Sequence, residues 1–425
     1  MSARPGRVAA SPAGLHSAVR WERVDSFLGN RSASEAMFHR PCPICGANEP
    51  RTVLVLNDFQ FFSDSHSEPK RVDIREVQCQ RCMALYLNPC YSAYGFPILF
   101  AEAGQSYGST EGRPAEQIDW MTGRGLLKDG AAVLDIGCYD GAFLARLPGT
   151  LQRIGVDIDG PAIERGRERH GAEGVAFVEG DFESFEAPVP PDTITMFHVL
   201  EHLPRPVEVL RNLRANARSQ TRLIVEVPIL ENGGTNDING FFSVQHMTHF
   251  SRQSLRNSLQ RSGWRVEEWS EQSDYNGCRV LAAPVEISDN VSVGSEDALR
   301  LWEYLSTWYA AVAAVNRRLA KRLDTKRVVL WGAGMHAEFL YHLTGLFVEN
   351  GARRFRLVDS DPVKQGTSWR GVPIAGPESL RALDWEVASL VISSYGSQEA
   401  IAGAAVSAGV PEARIVRLYD QLRRY

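Results

Sequence analysis

Cysteines in pairs, acids closing apolar runs and a group of histidines are the residues of this 425-residue chain that could do chemistry. Cys42 and Cys45 form one C-x-x-C pair, and Cys79 and Cys82 a second. Four thiolates are the ligand set of a closed tetrahedral zinc site, which keeps no open position for catalysis and is therefore structural. Gly46, just after the first pair, suits a tight knuckle whose N–H groups point at the sulfurs. A redox role fits less well, since two separate pairs rarely arise for that purpose. Cys90, Cys138 and Cys278 are scattered, and no disulfide framework is indicated.

A second group lies between residues 133 and 251. Val133-Leu134-Asp135-Ile136-Gly137-Cys138-Tyr139-Asp140-Gly141 reads as a strand, a glycine-containing turn and the start of a helix. Such a turn brings backbone N–H groups close to a ligand at the helix N-terminus. Tyr139 stands where glycine is usual, so a turn that avoids positive φ, slightly recast, is expected. Ile154-Gly155-Val156-Asp157-Ile158 ends a further strand on an acid that can accept both hydroxyls of a ribose. Gly180-Asp181-Phe182 follows the next strand, where the acid can take an adenine amino group and the ring can flank the base. Then come Phe197-His198-Val199-Leu200-Glu201-His202-Leu203 and the loop Phe242-Ser243-Val244-Gln245-His246-Met247-Thr248-His249-Phe250-Ser251.

Strands and helices must place these groups. Ala132–Ile136, Arg153–Val156, Ala176–Glu179, Thr193–Phe197 and Leu223–Val227 are apolar strands separated by amphipathic stretches. That alternation predicts an α/β fold with a doubly wound parallel sheet. Strand-like runs at Arg51–Asn57 and Val72–Val77 fill the interval between the cysteine pairs. A long helix is expected over about Glu296–Leu323, packed through Trp302, Leu305, Tyr309, Val312, Val315, Leu319 and Leu323. Val328–Leu340 reads as a second strand, a G-x-G-x-x-A turn through Gly332 and Gly334, and a helix. Phe355–Asp359 follows as a strand ending on an acid, then Leu390–Ser394. The chain thus divides into a disordered tail (1–35), a zinc-binding unit with a lid segment (36–112), an α/β domain (113–288), a connecting helix (289–325) and a Rossmann-like domain (326–425).

In order and spacing the motifs from Val133 to Pro206 resemble class I S-adenosylmethionine-dependent methyltransferases, in the branch bearing "HVLEHL". The resemblance implies cofactor contacts from Asp135, Gly137, Cys138, Asp140, Gly141, Asp157, Ile158, Asp181, Phe182 and His198. The order of zinc unit, methyltransferase and Rossmann-like domain is similar to that of the sugar C-methyltransferases. So are Asp140-Gly141, the loop at 242–251, and Tyr107-Gly108-Ser109-Thr110, which resembles a tyrosine-containing lid. In that family the second histidine of "Y-H-E-H-x-x-Y-F-S" is the proposed base, and His246 falls on it. Gln245 replaces the Glu and His249 the Tyr. His246 is thus either the base or a residue that orders the loop, with His249, His198 and Tyr107 as further candidates. The resemblance further implies that Gly332, Gly334 and Asp359 hold a nucleotide-linked sugar, the small-molecule partner; an empty docking cleft is the structural alternative.

The formal net charge of −5 argues against a general nucleic-acid or anionic-membrane binder, and no apolar stretch approaches a membrane span. A cytoplasmic enzyme is expected. Other readings are a scaffold that keeps cofactor affinity without turnover, O- or N-methylation, and a bifunctional chain whose C-terminal domain uses NAD. Oligomeric state is left open by the sequence.

Overall fold

A computed structural model describes residues 26–28, 31–32, 36–61, 70–93, 95–96, 112–234, 236–270, 276–294, 297–325, 327–347 and 354–422. Tyr107 and most of the expected tail lie outside them; Ser26–Leu28 pairs antiparallel with Arg31–Ser32. The two apolar runs between the cysteine pairs form one long hairpin, β1 (Pro50–Phe61) and β2 (Lys70–Cys79). Short β3 (Leu85–Leu87) follows on its edge.

The central domain begins with α1 (Arg113–Thr122). It continues through β4 (Ala132–Ile136), the short α2 (Ala142–Ala145), β5 (Gln152–Asp157), α3 (Gly160–His170), β6 (Val175–Glu179) and β7 (Thr193–Phe197). After α4 (Pro206–Ala215) and β8 (Arg222–Pro228) comes a long loop that ends in β9 (Thr248–His249). Then α5 (Arg252–Arg261), β10 (Trp264–Trp269) and β11 (Gly277–Pro284) close the unit. The sheet order is β6-β5-β4-β7-β8-β11-β10, with β11 antiparallel to both of its neighbours. Of its central strands, β4 is buried throughout and β7 up to the partly buried Phe197, as a sheet covered by helices on both faces requires.

The strand β9 does not join that sheet. It pairs antiparallel with β3, Thr248 opposite Tyr86 and His249 opposite Leu85, so the order β9-β3-β2-β1 stitches this loop to the cysteine-bearing unit.

Beyond it lies α6 (Asp297–Arg322). Its packing face is not quite the expected one: Trp302 and Tyr309 are 51% and 39% exposed, while Leu301, Tyr304, Leu305, Trp308, Val315 and Leu319 are buried. Each residue turns the helix by about 100°. The seven-residue steps 301–308–315 hold one face, and Trp302 and Tyr309 stand one residue round from it.

The C-terminal domain contains β12 (Arg327–Trp331), α7 (Met335–Leu343), β13 (Arg354–Val358), β14 (Ser368–Trp369), β15 (Val372–Ala375), β16 (Ala388–Ile392), α8 (Gln398–Ser407) and β17 (Ile415–Val416). Their order is β14-β15-β13-β12-β16-β17, parallel except at β14. The protein is therefore α/β, with two Rossmann-like sheets. Its main cores cross from unit to unit: one joins the hairpin, the 230–247 loop, α6 and the C-terminal sheet, and another joins the cysteine cluster to the central sheet.

Candidate active site

The residues expected to meet the cofactor sit at the C-terminal ends of β4, β5 and β6. Gly137 has φ +73°, and a Cβ there would lie 2.3 Å from a methyl of Val199, so the turn admits no larger residue. Tyr139 corrects the sequence-based expectation: its φ is +51°, inside the left-handed region. The strain is supported by its N–H, which donates to Asp157 Oδ2 at 2.8 Å, while Asp157 Oδ1 accepts from Asp159 N at 2.9 Å. The phenol is held by Arg165 at 3.1 Å. Asp157 thus braces the turn as well as ending its strand, and burial raises its pKa.

Asp135 is buried beneath the turn and accepts from Thr195 Oγ1 at 2.7 Å; burial pushes its carboxyl up to about 7. Cys138 is buried against Gly155 and Leu144, with its thiol raised by burial, so only its backbone faces a ligand. Asp140 is paired with Arg169 at 2.7 Å, and Gly141 caps α2. Asp181 is exposed and accepts from Glu183 N at 3.0 Å. Phe182 is buried in the sheet–helix core, with partly buried Ile158 packed against that core.

The candidate catalytic histidines lie at the end of β7 and in the loop before β9. His198 has φ +55°, which turns its ring between two buried carboxylates: Nδ1 lies 3.3 Å from Glu201 Oε1 and Nε2 lies 3.3 Å from Glu226 Oε1. Burial would lower its pKa, but those two acids outweigh burial and raise it. Burial likewise works against both carboxylates; His198 leads the groups that outweigh it and hold each at about 2. Arg279 completes the group, with Nε 2.7 Å from Glu226 Oε2.

His246 lies 4.9 Å from His202, ring centre to ring centre, and 6.1 Å from His249. Burial and the neighbouring His202 push its pKa down to about 3, so it is neutral. His249 is brought near but turned away into the interior, 3% exposed, with Nε2 3.0 Å from Glu76 Oε1 on β2. Sequence reasoning missed Glu226, Glu76 and Arg40. Buried Arg40 donates to the carbonyl of Pro204 and, at 2.7 Å, to that of Met247, tying together the segments that carry His202 and His246. No motif marks Arg40; only folding places it there.

The four cysteines converge. Their sulfurs lie within 4.8 Å of one another, with Cys42–Cys82 and Cys45–Cys79 at 3.5 Å, and all four are buried. Each pair forms a turn, Gly46 N to Cys42 O and Met83 N to Cys79 O, closed by a left-handed residue: Gly46 at φ +74° and Met83 at +60°. The donor set is compatible with zinc. In the C-terminal domain, Gly332 approaches Ser393 so closely that a Cβ would lie 2.4 Å from its carbonyl oxygen. Gly334 precedes α7. Asp359 accepts from Ala333 N at 2.8 Å and Asp361 N at 2.9 Å, the same bracing that Asp157 gives the first turn.

Residues 111–268 match the methyltransferase domain family. Among solved structures the chain is similar to magnesium protoporphyrin IX methyltransferase from Synechocystis PCC 6803 with bound S-adenosylmethionine (17% identity, 40% of this chain and 78% of that one, TM-score 0.32). It is also similar to mitomycin 7-O-methyltransferase (21%, 44% and 57%, TM-score 0.36). A third is an S-adenosylmethionine-dependent methyltransferase from Clostridium acetobutylicum ATCC 824 (10%, 46% and 100%, TM-score 0.36). No curated protein matches. The family match, the strand order and the braced glycine turn together define the central unit as a class I S-adenosylmethionine-dependent methyltransferase domain. The protein is an enzyme of that class.

Proposed function

We propose that the protein transfers a methyl group to a nucleotide-linked sugar or related small metabolite in the cytoplasm, at a carbon beside a keto group. The observation that carries this reading is two imidazoles around Glu201 whose pKa values are pushed in opposite directions. Two acids raise that of His198, and burial lowers that of His246. Such divergence is how acid and base roles are divided in one pocket. His246 takes the proton beside the keto group, and His198 donates to the oxygen on which enolate charge collects. S-adenosylmethionine supplies the methyl group as a sulfonium, whose carbon–sulfur bond breaks as the acceptor carbon bonds to the methyl.

Asp135, Gly137, Asp140, Gly141, Asp157, Ile158, Asp181 and Phe182, with the backbone of Cys138 and with His198, are assigned to the cofactor, and Gly332, Gly334 and Asp359 to the nucleotide end of the acceptor. The buried partner Glu76 gives His249 a positioning role. Cys42, Cys45, Cys79 and Cys82 hold structural zinc in this reading.

The test is mass spectrometry of the full chain with S-adenosylmethionine and a panel of nucleotide-linked keto sugars, followed by solvent-deuterium exchange at the acceptor carbon. A carbon-methylated product, and exchange that falls by roughly 100-fold or more in His246→Ala, are expected. An unchanged rate in that variant removes the base. Methylation without exchange turns the reading to oxygen or nitrogen.

A further inference from the structure

The acceptor pocket contains a buried carboxylate, Glu201, and an imidazole, His202, that proton transfer does not use. Glu201 is 2% exposed, and neither of its carboxylate oxygens accepts a hydrogen bond. His198 Nδ1, although 3.3 Å from Oε1, is out of line for one. His202 is fixed from its other side: Nδ1 lies 2.9 Å from the carbonyl oxygen of Gln245, which only accepts, so Nδ1 carries the proton. Its Nε2 faces Glu201 Oε1 at 3.9 Å. One donor atom each from Glu201, His202 and His246 lies within 4.8 Å of the others. A buried carboxylate whose oxygens accept no hydrogen bond is costly unless a positive charge stands beside it. The side-chain oxygen of Gln245, beside His246, is also buried without a partner.

The geometry points to a divalent transition-metal site formed by Glu201, His202 and His246. Two imidazoles and one carboxylate are a donor set suited to zinc-class ions. A ligating histidine that donates its second nitrogen to a backbone carbonyl is the usual outer-shell support, and His202 has it. This site is separate from the cysteine cluster and chemically distinct from it, with nitrogen and oxygen donors in place of sulfur. Its consequence for turnover rests on the proposed function: an ion bound there takes the lone pair of His246, so the metal-loaded pocket is an inhibited state of the transferase.

The test is equilibrium dialysis of the full chain against micromolar zinc, with metal counted per chain in wild type, His202→Gln and His246→Gln. Cofactor binding is measured in each to show that the domain is folded. Wild type is expected to retain one more zinc than either variant; equal retention overturns the site. Independently of any variant, cobalt entering the wild-type site is expected to show no thiolate-to-cobalt absorption, and thiolate bands for that equivalent would also overturn it. Zinc should slow methyl transfer reversibly. A chain that transfers no methyl group at all would refute the proposed function, yet leave the difference in zinc retention standing.

Discussion

At the scale of single residues, two of the left-handed non-glycine positions, Tyr139 and His198, fall within the candidate active site. A non-glycine residue there costs roughly 1–3 kcal/mol, tolerated only where surrounding bonds enforce it. Asp157 enforces the first, and Glu226 the second, through its backbone carbonyl and its carboxylate. Asp135 provides a pH prediction. Burial, with Asp157 adding to it and Thr195 opposing it, holds its carboxyl at about 7, against about 3.9 in an unfolded chain. Across that interval the folded chain keeps a proton that the unfolded chain has lost, so stability falls as pH rises and the penalty is complete above 7. Asp135→Asn should therefore melt higher than wild type at pH 8 and equally near pH 4. A gap of the same size at both pH values would contradict the assignment.

At the scale of elements, the acceptor loop is held by neighbours far away in the chain. The strand β9 pairs with β3, Met247 N donates to Glu201 O at 2.8 Å, and Arg40 joins the carbonyls of Pro204 and Met247. Arg40→Met leaves those carbonyls unpaired, at a cost of about 1–3 kcal/mol. It should lower kcat at least 10-fold with the cofactor Kd unchanged; a parallel loss of cofactor affinity would show a general unfolding instead. The strands and the braced turn were readable from the sequence, because apolar runs closed by Gly or Asp depend on local pattern. Local pattern was less informative at Tyr139, where tertiary hydrogen bonds overrode conformational preference, and along α6, where a one-residue rotation of the apolar face exposes Trp302.

At the scale of the whole molecule, the hairpin β1–β2 is the link between units. It carries Cys79 of the cysteine cluster at one end, and at the other Asp58 meets Arg370, which pairs with fully buried Glu338 at 2.7 Å. Phe59 packs edge-on against Phe339, 5.1 Å between centres. Removing one partner of such a buried pair strands a charge and costs about 3–5 kcal/mol. Arg370→Met should lower the melting temperature, and adding Glu338→Gln should restore much of it; no recovery in the double variant would refute the stranded-charge account. Chelating the metal we assign to the cysteines should likewise destabilise the central domain, because those cysteines share its core. Equal melting curves with and without chelator would count against that assignment. By itself the sequence determined the class of the central domain, the place of the glycine turn and the cysteine set, since each is a short motif whose pattern lies within a few residues. Only the tertiary structure decided which histidine is paired, which is neutral and which faces Glu201. Those properties depend on burial and on partners such as Glu226, Glu76 and Arg40, which the fold brings in from distant strands.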